Sequence, residues 1–255
     1  MSTNRSKKGK AKAGGGKAAA IRTSAAEKAP SNRRKGESPV DIAFRKIKEM
    51  LYHHEIVPGQ KLLYQELARK LDMGITPVIQ ALNRLQLLNI VYSEPNKGYY
   101  VGETDPREAK ELFSALEALD AFLIPSVVRH MNRKRLDAIE NAVKEYVEAA
   151  SVPEYRRLLM IKDTNFHLKI IECAENKVIY NLCRNIYEQI YLKYRPEYMR
   201  DDRLKEAADE HDMILEALKN KDEKRAAKLL RQHIRNARDH IAGGLWRDEN
   251  FEIDV

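Results

Sequence analysis

The stretch from Gln65 to Leu88, QELARKLDMGITPVIQALNRLQLL, limits the possible folds more than any other part of the chain. Leu67, Ala68 and Leu71 fall at i, i+1 and i+4 and so line one face of a short helix. Asp72-Met73-Gly74 reads as a tight turn, with the glycine supplying backbone angles that other residues avoid. Thr76-Pro77 restarts the chain, since threonine is a favoured N-cap and proline at the first helical position gives up no hydrogen bond. Beyond it Val78, Ala81, Leu82, Leu85 and Leu88 recur at helical spacing, leaving Gln80, Asn83, Arg84 and Gln86 on the polar side. Two short helices so related form either an ordinary helical hairpin or a helix-turn-helix, whose second helix enters the major groove of DNA.

The flanking residues favour the second reading. Ile90–Ser93 and Tyr99–Val101 are β-prone runs on either side of the turn-forming Glu94-Pro95-Asn96-Lys97-Gly98, which makes a hairpin, or wing. Upstream, Asp41–Ile56 reads as an amphipathic helix with Ile42, Ile47, Met50 and Leu51 facing inward, His53 and His54 at its exposed end, and Pro58-Gly59 turning the chain after it. On Val57-Pro58-Gly59, Leu62, Glu66-Leu67-Ala68, Thr76-Pro77-Val78, Ala81-Leu82, Leu85 and Gly98, the segment from Asp41 to Gly102 resembles the winged-helix domain of the GntR family of bacterial transcription regulators. The resemblance implies double-stranded DNA as a partner, with Gln65, Thr76, Gln80, Asn83, Arg84, Lys97 and Gly98 as candidate contacts. In one respect the chain departs from the family, which usually has arginines flanking Thr-Pro-Val where this chain has Ile75 and Ile79. Isoleucine can touch a thymine methyl but cannot donate to a guanine edge.

The net charge of +8 is unevenly placed: residues 1–40 hold eleven Lys/Arg against two Glu, net +9, so the remainder sums to −1. That first segment has almost no large apolar residue and is expected to be a disordered basic tail, either phosphate-binding or merely solubilising. No apolar run approaches membrane-spanning length and no secretory leader is visible, so no membrane partner is expected. The two cysteines, Cys173 and Cys183, make no disulfide framework or metal spacing, which suits core thiols in a reducing cytoplasm.

Asp105-Pro106-Arg107-Glu108 opens a second region, with Asp as N-cap and Pro at the first helical position. From there the periodicity is helical throughout: about 106–130, bending before Pro125, then 133–149, 153–173, 177–195, 198–219 and 222–242. Ser151 with Glu154 is expected to cap the third, Pro196 to separate the fourth from the fifth, and Gly243-Gly244 to stop the last. The expected fold is mainly α: a basic tail (1–40), a winged helix-turn-helix with a small β-wing (41–102), an all-helical bundle for effector binding and dimerisation (103–242) and a C-terminal tail (243–255).

Among seven histidines, His167 lies at i+4 from Asp163 in DTNFH, within reach of one ion, while His211 and His233 could meet across a helix pair turning at Asn220-Lys221-Asp222. Each histidine alone is as readily a core or surface residue. With the order DTNFHLKIIECAENKVI, then EHDMILEALKNKDEKRAAKLLRQHI, the region resembles the metal-binding effector domain of the FadR-like branch of the GntR family, of FCD type. The resemblance implies that Asp163, His167, His211 and His233 hold a divalent metal. Imidazoles with one carboxylate suit zinc first, with nickel, manganese or iron as alternatives, more than calcium. Many relatives carry an effector-binding arginine where this chain has Leu116, which puts a simple carboxylic-acid effector in doubt. Tyr187, Tyr191, Tyr194 and Arg195 are candidate pocket residues, or else a solvated helix end.

These observations lead to a cytoplasmic, ligand-responsive transcription regulator and not an enzyme. It would bind operator DNA as a homodimer, with a divalent metal helping to hold a small metabolite, an organic acid among the possibilities. The alternatives are a metal-dependent hydrolase, for which no general base is readable beside the ligands, and an architectural DNA-binding protein with a structural metal.

Overall fold

The computed structural model describes residues 36–151, 156–195 and 199–249, apart from the side chains of 246–249. The basic tail before residue 36, the Glu154 half of the expected cap, Pro196 and residues 250–255 lie outside the described residues.

Helix α1 (Pro39–Tyr52) opens with a full capping box, in which Ser38 and Asp41 each bond the other's backbone N–H. Its buried face is Ile42, Ala43, Ile47, Met50 and Leu51. Strand β1 (Lys61–Leu62) follows, then α2 (Tyr64–Lys70) and α3 (Ile75–Leu87), the helix-turn-helix pair. The turn between them differs from the sequence reading. Asp72, at φ +51°, takes the left-handed conformation, while Gly74 is extended at φ −65° and ψ 156° and forms the N-cap without a side-chain bond. Aspartate is among the few non-glycine residues that tolerate that conformation. Thr76 and Pro77 therefore lie inside the first turn of α3, where backbone N–H groups have no intrahelical partner and proline loses nothing.

Strands β2 (Val91–Glu94) and β3 (Gly98–Val101) form the wing, and β1 adds to its free edge in the antiparallel order β1-β3-β2. Two-residue β1 gives too short an alternation to read from sequence, but Lys61 pairs with Tyr100 and Leu62 with Tyr99. The tip turns through Asn96 and Gly98, both at positive φ, with Gly98 at +103°. Under the sheet, Val78, Ala81, Leu82 and Leu85 of α3 are fully buried with Ile47, Leu51, Ile90 and Val101. Truncating Leu82 to Ala is expected to cost roughly 2–5 kcal/mol through lost transfer energy and the cavity left behind. Urea unfolding followed by far-UV dichroism would show it as a lower midpoint.

The helical region consists of α4 (Pro106–Arg129), α5 (Arg133–Ala150), α6 (Arg156–Glu172), α7 (Lys177–Lys193), α8 (Asp201–Lys219) and α9 (Glu223–Glu249). Asp105 caps α4 as expected, accepting from Glu108 N at 2.7 Å, and the helix runs on through Pro125. Ser151 closes α5, its hydroxyl donating to Glu148 O at 2.7 Å. Helix α9 continues through Gly243-Gly244, where a stop was expected. Each glycine costs a helix about 1 kcal/mol, and buried Ile241, Ala242 and Leu245 around them hold the turn against the bundle. Helix α4 packs along α9, α5 against α6 and α8, and α8 against α9, which leaves α6, α8 and α9 facing one interior.

From Glu37 onward the described residues form a single compact unit. Lys48 of α1 pairs with Glu188 of α7 at 2.7 Å, Arg195 donates to Glu103 at 2.7 Å and to Pro58 O at 3.3 Å, and buried Lys193 pairs with Glu108. Arg157 of α6 reaches the last carbonyls of α1, with Nε 2.8 Å from Tyr52 O and Nη2 2.6 Å from Leu51 O.

Candidate metal centre and nucleic-acid face

Helix α6 does not segregate its apolar residues, because its inward face itself carries polar groups. Asp163 and His167 sit one turn apart between buried Leu159, Met160, Phe166 and Ile170. His211 comes from α8 and His233 from α9, and the turn at Asn220 and Lys221 brings their rings to 4.7 Å. One donor atom from each of Asp163, His167, His211 and His233 lies within 4.8 Å of the others. The Nε2 atoms of His167 and His233 are 3.0 Å apart, and Asp163 oxygens lie 3.3 Å from His211 Nε2, 3.8 Å from His167 Nε2 and 3.9 Å from His233 Nε2. Ligands about 2.0–2.2 Å from a common ion are separated by similar distances.

The three imidazoles are almost completely buried, while the Asp163 side chain keeps one-third of its exposure. Burial lowers the His167 pKa well below the ordinary value and the His211 pKa to about 4, so both rings are neutral at neutral pH and offer lone pairs. Burial works to raise the Asp163 carboxyl, but the His211 contact and the charges of the surrounding imidazoles outweigh it and hold the group below its usual range. Two imidazole nitrogens facing each other across 3.0 Å, with a carboxylate oxygen 3.3 Å from a third, form a donor set that a divalent cation would satisfy. Aromatic rings fix the ligands: Phe166 stacks on His211 at 4.0 Å and Tyr187 on His167 at 5.1 Å.

A second layer of polar groups surrounds the ligands. Glu210 Oε2 lies 2.6 Å from His233 Nδ1, and the carboxylate also accepts from Arg203 at 2.7 Å and Asn236 at 2.5 Å. A carboxylate behind a ligating histidine fixes its tautomer and raises its basicity. Glu210 is the carboxylate beside the ligands that sequence reading overlooked. Its three donors suit it to orienting a ring. Deeper still, Asp120 of α4 accepts from Tyr187 at 3.1 Å, and burial raises its carboxyl pKa to about 7.

A cavity of about 70 Å³ opens beside Asp163 and His233, several times the roughly 10–15 Å³ that one water requires. Its walls are Phe113, Tyr146, Leu159, Met160, Ile190 and other apolar groups, with Thr164, Arg203 and His240 among the polar ones. Of the expected pocket residues, Tyr187 and Tyr191 line it. Tyr194 and Arg195 are not among the lining residues: Tyr194 is fully buried in the core, and Arg195 turns to Pro58 and Glu103 at the winged helix. A helix end presents its side chains around a full circle, so adjacency along YLKYR could not place them all on one wall. Leu116 of α4 is completely buried, and the guanidinium on this cavity comes instead from Arg203 of α8.

On the winged helix, Gln65, Thr76 and Gln80 are exposed. Three other candidates already have partners. Asn83 accepts from Tyr99 at 2.7 Å, bracing α3 against the wing, and Arg84 pairs with Asp41 at 2.7 Å with its guanidinium 4.4 Å from the Phe44 ring. Lys97 pairs with Glu94 across the tip that Gly98 turns. Ile75 is nearly half exposed and Ile79 partly buried.

Comparison with known proteins places both halves. Residues 40–101 match the bacterial regulatory proteins of the gntR family, and residues 111–236 match the FCD domain. The chain is 24% identical to the HTH-type transcriptional regulator McbR of Escherichia coli, over 74% of this chain and 87% of that protein. It is 28% identical to the Nta operon transcriptional regulator of Aminobacter aminovorans, over 74% and 87%, and 22% identical to the HTH-type transcriptional repressor GlaR of Escherichia coli, over 75% and 90%. The solved structure of Escherichia coli McbR/YncC superposes with a TM-score of 0.71 at 21% identity, covering 84% of this chain and 99% of that one.

Proposed function

The chain belongs to the GntR family of bacterial regulatory proteins, with an FCD domain behind its winged helix, and from that premise we propose a cytoplasmic regulator that binds operator DNA as a homodimer and responds to a small metabolite held at a divalent metal. Its domains and relatives are those of transcription regulators and not of enzymes. Among the described residues no helix is long and apolar enough to cross a membrane. The relative GlaR is named a repressor, and repression is the sign proposed here.

The observation that carries the effector half is the set of four converging donors, three of them buried imidazoles. Asp163, His167, His211 and His233 would hold the ion, with zinc first and nickel, manganese or iron as alternatives. Bound there, the ion would act as a Lewis acid toward a carboxylate or hydroxyl of the metabolite. Glu210 holds the His233 ring in place, Phe166 and Tyr187 hold His211 and His167, and largely apolar walls surround the cavity beside them. An organic acid suits a site with a cation and a buried guanidinium better than a neutral sugar does.

On the DNA side, Gln65, Thr76 and Gln80 are exposed polar groups of the helix-turn-helix, and the wing brings Lys97 and Gly98. One recognition helix reads only a few base pairs, and two on a two-fold axis read half-sites about one helical turn apart. The test is duplex selection from a random-sequence library, followed by footprinting and sedimentation. A dimer protecting an inverted repeat is expected. A monomer with single half-site footprints would contradict the reading.

A further inference from the structure

The helix that supplies Asp163 and His167 also reaches the DNA-binding region through Arg157. Arg157, in the first turn of α6, donates to Leu51 O at 2.6 Å and Tyr52 O at 2.8 Å, two of the last carbonyls of α1. A helix C-terminus presents unpaired carbonyls and partial negative charge, so a guanidinium across it is held by both hydrogen bonds and the helix dipole. On its other side Arg157 meets the cavity wall. Its guanidinium carbon lies 5.3 Å from the Tyr191 ring centroid, the Tyr191 hydroxyl donates back to Arg157 O at 3.3 Å, and the Tyr191 ring packs on Tyr52 at 5.1 Å. Tyr191 itself lines the cavity beside the four converging donors. At the opposite end of α1, Asp41 holds Arg84 of the recognition helix, and α1 packs along α3. Arg157 thus bridges the ligand-bearing helix to the helix that carries α3.

We propose that Arg157 is the positioning residue through which occupancy of the metal site sets the placement of the winged helix, and with it the affinity for DNA. This inference rests on the metal-site reading given above. A planar guanidinium serves two carbonyls at once in a fixed fork, whereas a lysine ammonium is a point charge on a flexible stem. A shift of α6 or of Tyr191 when the site fills therefore moves the end of α1 directly. Coupling of this kind is reciprocal, so duplex must change metal affinity by the same factor that metal changes duplex affinity.

The experiment uses the full chain, zinc alone as the site probe and a duplex selected by the wild-type protein. Duplex affinity is measured with and without zinc, and zinc affinity with and without duplex. For the wild type, both ratios are expected to agree and to fall in the range of roughly five- to 150-fold. Arg157→Met is expected to bind zinc as the wild type does while its duplex ratio drops to within about twofold of one. Arg157→Lys, which keeps the charge and guards against a misfolded Met variant, is expected to give an intermediate ratio. An unchanged ratio in either folded variant would overturn the proposal. A wild type that binds zinc yet shows the same duplex affinity with and without it would overturn the coupling and leave the metal site standing. A wild type that binds no zinc would remove the site reading, and this inference with it.

Discussion

Stripped of metal by a strong chelator, the protein is expected to unfold about 8–16 °C below the loaded form. An ion that binds only the folded chain stabilises it by RT ln(1 + [L]/Kd), about 4 kcal/mol when free metal exceeds Kd a thousandfold. For a domain of this size each kcal/mol moves the midpoint by roughly 2–4 °C. His211→Ala should unfold near the stripped temperature whether or not zinc is added, because it removes a fully buried donor stacked 4.0 Å from Phe166. The same variant also relieves a buried ring whose Nδ1 lacks a hydrogen-bond partner, which offsets part of the cavity that its removal leaves. The decisive quantity is therefore the zinc-induced shift within each protein: large in the wild type and lost in the variant. A differential scanning experiment with matched metal analysis measures it. A wild type that keeps the same midpoint with and without zinc, at one ion per chain or none, would sink the metal-centre reading.

The parts of this molecule that local spacing determines were readable in the sequence, and the parts that depend on distant partners were not. The buried face of α3 follows from residues within one helix, and Val78, Ala81, Leu82 and Leu85 are indeed its core. The Asp105 cap and the limits of α4, α5 and α7, within two residues of the expected ones, are similarly local. The His–Asp constellation was visible as one i, i+4 pair, and the resemblance brought in His211 and His233; the structure brings all four together. The turn was misassigned because both Asp72 and Gly74 can serve it, and the choice depends on how α3 seats against the core. Strand β1 exists only because β3 offers it a partner some 38 residues away, Lys61 opposite Tyr100 and Leu62 opposite Tyr99. Glu210 and Arg203 look like ordinary helix charges in DEH and RLKE, and their roles emerge only where α8 crosses α9. Arg84 lies exposed on the polar face, as the spacing predicts, but its pairing with Asp41, 43 residues earlier, is not readable from that spacing.

That last point sharpens the expectation for DNA binding. With Arg84 tied to Asp41, Asn83 to Tyr99 and isoleucines at 75 and 79, the recognition helix offers few charge-assisted contacts. The positive charge lies instead in residues 1–35, which carry eleven Lys/Arg against one Glu, net +10. Each phosphate neutralised by a cation releases counterions and contributes about −0.9 to the slope of log K against log salt. Deleting residues 2–35 should therefore flatten that slope by several units and weaken binding to all duplexes alike. The deletion must end there, because Glu37 pairs with Arg45 and Ser38 caps α1, and losing them would confound electrostatics with stability. Ile79→Arg should act in the opposite manner. It adds a donor pair that can meet a guanine O6 and N7, with about 1–3 kcal/mol of discrimination at stake, so the preferred sequence changes while the slope moves by about one unit at most. A salt titration of the full-length, truncated and Ile79→Arg proteins on selected and scrambled duplexes separates the two effects. An unchanged slope after truncation would mean that residues 2–35 take no part in phosphate contact, and the affinity would then have to come from the winged helix itself.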